Sequence, residues 1–219
     1  MKKVAVVLAG SGVFDGSEIH ESVITLLALD RFGAEVSILA PNIPQMHVIN
    51  HITGEEMKES RNVLIEAARI ARGNIKDLAN ANIEDYDAVI FPGGYGAAKN
   101  LSDFAIKGSD FTVNPIVEKF IINGLNSHKV MGFICIAPVI AAKVCANIKL
   151  HPELTIGTDK ETAQAINKIG AHHINCQVNE IVYDEKNKIV TTPAYMLGQS
   201  IKEIAEGIEK LVKKVLELC

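Results

Sequence analysis

The sequence predicts a doubly wound, mostly parallel sheet in a three-layer α/β/α sandwich, with a β-hairpin late in the chain. Three observations predict it. Strand and helix signals alternate along the 219 residues, as βαβ units require. The strand candidates are continuous aliphatic runs, which suits strands covered by helices on both faces. Near the end, two short β-rich runs flank Asp184-Glu185-Lys186-Asn187-Lys188, a hairpin signal. No linker, repeat or low-complexity tract interrupts the pattern, so residues 1–219 read as a single domain.

The elements follow in order. Val4–Ala9 is the first buried strand, and Ile19–Phe32 is a helix closed by Gly33. Glu35–Ala40 is the second strand, halted by Pro41 and Pro44. Residues 41–59 form a long irregular segment of the kind that is often functional. A helix is expected over Ser60–Arg72, with Val63, Leu64, Ala67, Ile70 and Ala71 on one face. Ala88–Phe91 is the third strand, followed by the glycine-rich turn Pro92–Ala98. Asn114 as N-cap and Pro115 at the first helical position open a helix ending near Asn126. Val130–Ile134 is a strand running straight into a helix, Leu154–Gly157 is a short apolar run, and Lys160–Ile169 is a short helix. Glu180–Tyr183 and Ile189–Thr192 are the hairpin arms. Ser200 and Glu203 form a capping box for the last helix, whose Ile201, Ile204, Ala205, Ile208, Leu211, Val212 and Val215 make a packing stripe.

Composition excludes several classes of function. A net charge of −4 with both signs interspersed offers no basic surface for nucleic acid or an anionic membrane. No apolar stretch approaches membrane-spanning length. Cys135, Cys145, Cys176 and Cys219 have neither C-x-x-C spacing nor the density of a disulfide scaffold, and His172-His173 makes no zinc pattern with them. A reducing compartment fits, and a cytoplasmic location is expected. The loop Gly10-Ser11-Gly12-Val13-Phe14-Asp15-Gly16 approaches a dinucleotide fingerprint, but Asp15 stands where the third glycine belongs, and no ribose-binding acid ends the second strand. Lys99 lacks phosphate-loop spacing. No cofactor is expected.

Cys135 is the most informative residue. It is the one polar side chain at a strand-to-helix junction, where open α/β sheets place their ligands. The first N–H groups of the next helix lack partners there and carry partial positive charge, which lowers a thiol's pKa. The plainer reading is one more buried small apolar residue. Glu18, at the opening of the first helix, either compensates the helix dipole or faces the thiol across the cleft and moves a proton. The Gly93-Gly94 turn is either a plain tight turn or a source of N–H for a developing oxyanion, together with Ile136.

Longer motifs add a resemblance. Gly16-Ser17-Glu18-Ile19-His20-Glu21, Val48 to Glu55, Arg61 to Ile70, Phe91 to Leu101, Cys135-Ile136-Ala137-Pro138 and Val190 to Met196 together resemble the ElbB family. These are isoprenoid-biosynthesis proteins with an amidotransferase-like domain, in the ThiJ/PfpI group of flavodoxin-like, class I glutamine amidotransferase-like folds. The resemblance covers nearly the whole chain. It implies a cofactor-free protein with a reactive elbow cysteine and, in some relatives, a weak glutathione-independent glyoxalase activity. By motif it assigns Cys135 as nucleophile, Glu18 as the contacting glutamate, and Gly94 with Ile136 as oxyanion donors.

One departure limits the likeness to amidotransferases: Thr155–Asp159, where a triad histidine would stand, holds none. His151, His172 and His173 lie to either side. Glutamine hydrolysis would lack its general acid, whereas a small dicarbonyl such as glyoxal asks only for a thiol and a proton-carrying carboxyl group. A glyoxalase-like enzyme is therefore expected, with a thiol-based sensor or regulatory binding protein as the rival. The 41–59 segment is expected beside the pocket, bringing Asn50 or His51 to its mouth. A homodimer is expected, with that segment and the hairpin in contact across the axis.

Overall fold

The computed structural model describes residues 1–219. Its strands are β1 (Lys3–Val7), β2 (Glu35–Ala40), β3 (Lys76–Asp77), β4 (Ala88–Phe91), β5 (Val130–Ile134), β6 (Glu153–Leu154), β7 (His172–His173), β8 (Val182–Asp184) and β9 (Ile189–Thr192). Seven of them form one sheet in the order β3-β2-β1-β4-β5-β9-β8, parallel except for the β8 edge, which turns back on β9. The chain builds outward from β1 through β2 to β3, then returns to lay β4 on the other side of β1. That reversal makes the carboxyl ends of β1 and β4 the switch point at which such sheets form a crevice.

Strand side chains alternate between two apolar cores, one on each face of the sheet. Ala5, Val7, Val89, Phe91, Met131 and Phe133 face one core, where the Phe91 and Phe133 rings stack at 4.9 Å. Val4, Val6, Ala88, Ile90, Val130 and Val190 face the other. The helices are α1 (Ile19–Arg31), α2 (Val63–Ile70), α3 (Tyr95–Lys99), α4 (Phe104–Lys107), α5 (Pro115–Asn126), α6 (Pro138–Asn147), α7 (Lys160–Ile169) and α8 (Ile201–Leu218). α5 and α6 cover the first face; α1, α2 and α8 cover the second. Of the α8 stripe, Ile204, Ile208, Leu211, Val212 and Val215 are wholly buried, each contributing roughly 1.5–3 kcal/mol, whereas Ala205 is half-buried and Ile201, in the first turn, is exposed.

Local chemistry sets several boundaries. Asn114 Oδ1 caps α5 by accepting the Ile116 N–H, with Pro115 next in line. Ser200 caps α8 through the Glu203 N–H, but Glu203 closes back on the Gln199 N–H rather than on Ser200. Asn62 caps the helix after β2, so that helix is Val63–Ile70 and not the longer span the pattern suggests. β3 and the separate two-stranded β6–β7 sheet have no counterpart in the sequence reading. The hairpin is present, with its first arm at Val182–Asp184.

Candidate functional site

Three connections meet at the switch point: the loop after β1, the Pro92–Gly94 turn after β4, and the β5–α6 junction. Cys135 has φ of +62°, a left-handed conformation that a side-chain-bearing residue adopts only under constraint. Its N–H donates to the Thr192 carbonyl of β9 at 3.0 Å, which anchors the turn to the sheet. The thiol lies at a cavity of about 400 Å³ lined by residues from all three connections and from α4, α7 and the segment after β9.

The carboxyl group in side-chain contact with the Cys135 thiol belongs to Glu21, not Glu18. Glu21 is fully buried on the inward face of α1, alongside Ile24, Ala28 and Leu29. One of its oxygens accepts the Gly93 N–H at 2.9 Å and the other the Tyr195 N–H at 3.2 Å. Glu18 instead caps α1, accepting the Glu21 N–H at 2.7 Å, and contributes to the cavity wall. The contact expected of Glu18 is thus made by Glu21, one helical turn further along. The signal that separates them is amphipathic: Glu21 shares the apolar face with Ile24 and Ala28, while Glu18 precedes the helix.

Gly93 and Gly94 allow this approach. A Cβ on Gly93 would collide with the Cys135 Cβ and lie 2.7 Å from Glu21 Oε2. Gly94 has φ of +95°, and a Cβ there would meet the Glu18 backbone nitrogen. The N–H groups of Gly94 and Ile136 face the sulfur, and neither is committed to another backbone partner.

Electrostatics correct the expectation of a lowered thiol pKa. Burial, and then the Glu21 charge, push the Cys135 thiol well above its ordinary value, against the opposing pull of the Gly94 and Ile136 N–H groups. Burial, and then the nearby Glu18 charge, raise Glu21 to about 8 despite its hydrogen bonds. With both groups raised, the pair keeps both protons for the most part at neutral pH, and the form that has lost one proton, with its single charge shared, builds up towards pH 8.

Tyr195 completes the rim and holds His20 beside it, outside the lining. Tyr195 lines the cavity, and its hydroxyl lies 2.8 Å from His20 Nδ1; the same nitrogen is 3.9 Å from Glu18 Oε1. The three other histidines considered from sequence hold the fold locally. His151 Nδ1 is paired with the Gly170 carbonyl at 2.7 Å, His173 Nε2 accepts the Ile156 N–H at 3.3 Å, and His172 pairs along β6–β7. Asp159 is the residue of the 155–159 segment that lines the cavity. Residues 41–59 line none of it. Asp15 accepts the Ile49 N–H at 2.7 Å and His51 the Phe14 N–H at 3.3 Å, so the segment braces the first loop, and Asn50 turns to its own Ile52 N–H.

A doubly wound sheet with a cysteine elbow at its switch point is the architecture of the ThiJ/PfpI group of class I glutamine amidotransferase-like proteins. No family model matches the chain. It is 50% identical over 226 residues to the glutamine amidotransferase-like class 1 domain-containing protein 3, mitochondrial, of Homo sapiens, covering 99% of this chain and 83% of that protein. It is 50% identical over 226 residues to the ES1 protein homolog, mitochondrial, of Rattus norvegicus, covering 99% and 84%. A crystal structure of an isoprenoid biosynthesis protein with amidotransferase-like domain from Ehrlichia chaffeensis superposes with a TM-score of 0.93 at 34% identity, covering 100% of this chain and 99% of that one. The chain belongs to the ElbB/ES1 family.

The names of both curated relatives carry a mitochondrial location, which overturns the cytoplasmic expectation. Cysteine usage in a sequence does not separate one reducing compartment from another.

Proposed function

We propose that this protein is a cofactor-free, glyoxalase-like enzyme in which Cys135 and Glu21 convert α-oxoaldehydes to α-hydroxy acids. The observation that carries it is the buried thiol–carboxyl contact of Cys135 and Glu21 beneath two free N–H groups. In the form of the pair that has lost one proton, the Glu21 carboxylate takes the thiol proton and the sulfur adds to the aldehyde carbon. The new C–S bond leaves charge on the aldehyde oxygen, facing the Gly94 and Ile136 N–H groups, and the proton from Glu21 neutralises it as a hemithioacetal. Glu21 then removes the hydrogen of that carbon, giving an enediol, and returns the proton to the neighbouring carbon, giving an α-hydroxy thioester. Water adds to the thioester carbonyl and the C–S bond breaks, releasing hydroxy acid and thiol. One carbon is oxidised and its neighbour reduced, so no external electron carrier is consumed.

Amidotransfer is disfavoured, because no histidine lines the cavity to protonate a leaving amine. A thiol sensor is disfavoured by the buried, raised thiol, since oxidation follows thiolate character and exposure. The Ehrlichia relative's name suggests that the physiological role touches isoprenoid biosynthesis.

Steady-state assay of purified protein against glyoxal, methylglyoxal and glutamine, with Cys135→Ala alongside, tests the reading. Glycolate and lactate should form, without ammonia from glutamine. Dicarbonyl turnover no faster than in Cys135→Ala would sink it.

A further inference from the structure

We infer that the cavity is built for a neutral carbonyl compound carrying an apolar chain, so that the substrate is an α-oxoaldehyde larger than glyoxal or methylglyoxal. The inference rests on the dicarbonyl reading for its chemistry and on the cavity wall for its selectivity.

Size is the first argument. A water takes about 30 Å³ of liquid, and glyoxal, with four non-hydrogen atoms, takes the space of roughly two or three waters. The cavity measures about 400 Å³. A dialdehyde held at Cys135 leaves most of that space to water. The cavity wall includes Val13, Ala98, Phe104, Ala105 and Met196, side chains that offer that water no hydrogen bond beyond the weak thioether acceptor of Met196. An apolar chain on the ketone carbon would displace it and gain burial.

Charge is the second. Glu18 and Asp159 both line the cavity, and no lysine, arginine or histidine does. Asp159 is held ionised, its carboxyl lowered by the backbone N–H and side chain of Thr162. Lys99 is engaged elsewhere: its Nζ donates to the Phe14 carbonyl at 2.8 Å and lies 5.4 Å from the centre of the Tyr95 ring. A carboxylate or phosphate ester would meet two acids and no basic side chain in the lining; His20, 3.9 Å from Glu18 Oε1, stands outside it. The same arrangement favours departure of product, because the neutral substrate leaves as an anionic hydroxy acid.

Two measurements test the inference. In turnover, isobutylglyoxal should exceed glyoxal in kcat/KM by at least tenfold, since single methylenes in apolar pockets give about 10–200-fold discrimination. Ala105→Phe, on the exposed surface of α4, should cut that ratio by at least tenfold. In binding, the isosteres isocaproamide and isocaproate are titrated against methyl-labelled protein. The amide should shift the Ala98, Ala105 and Met196 methyl signals, and the carboxylate should bind at least tenfold more weakly. Equal kcat/KM for glyoxal and isobutylglyoxal, or equal binding of amide and carboxylate, would overturn the inference. Amide binding at those methyls without turnover of either oxoaldehyde would instead defeat the catalytic reading and leave the cavity's selectivity standing.

Discussion

Glu21 reaches the Cys135 thiol from helix α1 while its two oxygens hold the backbone N–H groups of Gly93 and Tyr195. One side chain thus ties the first helix to the β4 turn and to the segment after β9, and fixes where the sulfur meets its proton partner. Replacing it should separate chemistry from folding. Glu21→Gln keeps the side chain's size, leaves one of the two N–H groups facing an amide NH2, and lowers dicarbonyl turnover by about 10²–10⁴-fold, the usual worth of a positioned acid–base group. Glu18→Gln removes a cap acceptor's charge at the rim and should cost less than tenfold. Steady-state rates of the two variants check the assignment, and a larger loss in Glu18→Gln would reverse it.

The pH dependence of stability follows from the same group. Glu21 titrates near 4.5 when unfolded and about 8 when folded, so between those values the folded state holds a proton that the unfolded state has lost. Its contribution is fully present below about pH 4.5 and is lost as pH rises through about 8. Denaturant midpoints of wild type minus those of Glu21→Gln should therefore fall across that window. A flat difference would mean that Glu21 is not buried as a neutral acid.

Much of the architecture was legible because it is written locally. The Asn114-Pro115 start, the 184–188 turn and the aliphatic β1, β4 and β5 runs each carry their own signal. β3 and the β6–β7 pair are two residues long and exist only through pairing with distant backbone, so no local pattern announces them. Cys135 stood out as a polar atom at an apolar junction. The choice between Glu18 and Glu21 was harder, because three residues turn a helix by roughly 300°, and which acid faces inward depends on how Ile24, Ala28 and Leu29 seat α1 on the sheet. The thiol's raised pKa likewise depends on burial that only the packed fold supplies.

Gly94 should tolerate no side chain. Its φ of +95° and the close approach of the Glu18 nitrogen and Gly16 carbonyl leave no room for a Cβ, and strain of that kind costs about 1–3 kcal/mol before any displacement of the loop. Gly33 also has positive φ, +72°, but open space around it. Gly94→Ala should lower the denaturation midpoint more than Gly33→Ala and abolish turnover, while Gly33→Ala leaves turnover intact. Equal destabilisation would show that backbone conformation alone, and not the packed turn, governs Gly94.

The last prediction concerns assembly. Ile19, Val23 and Leu27 are 44%, 48% and 43% exposed and recur every fourth residue along α1, forming one stripe about 12 Å long. The 41–59 segment exposes apolar residues too, notably Ile52, but the hairpin presents no comparable large apolar side chain. A two-fold dimer that pairs α1 with its copy would cover a continuous surface, as isologous interfaces require. It would also bring the Glu18–Glu21 end of each helix close to the axis with the thiol still inside its own cavity. Sedimentation at tens of micromolar is expected to show a dimer, Val23→Lys a monomer, and Ile52→Ser a dimer still. A wild-type monomer would remove the assembly altogether, and dissociation by Ile52→Ser alone would move the interface to the 41–59 segment.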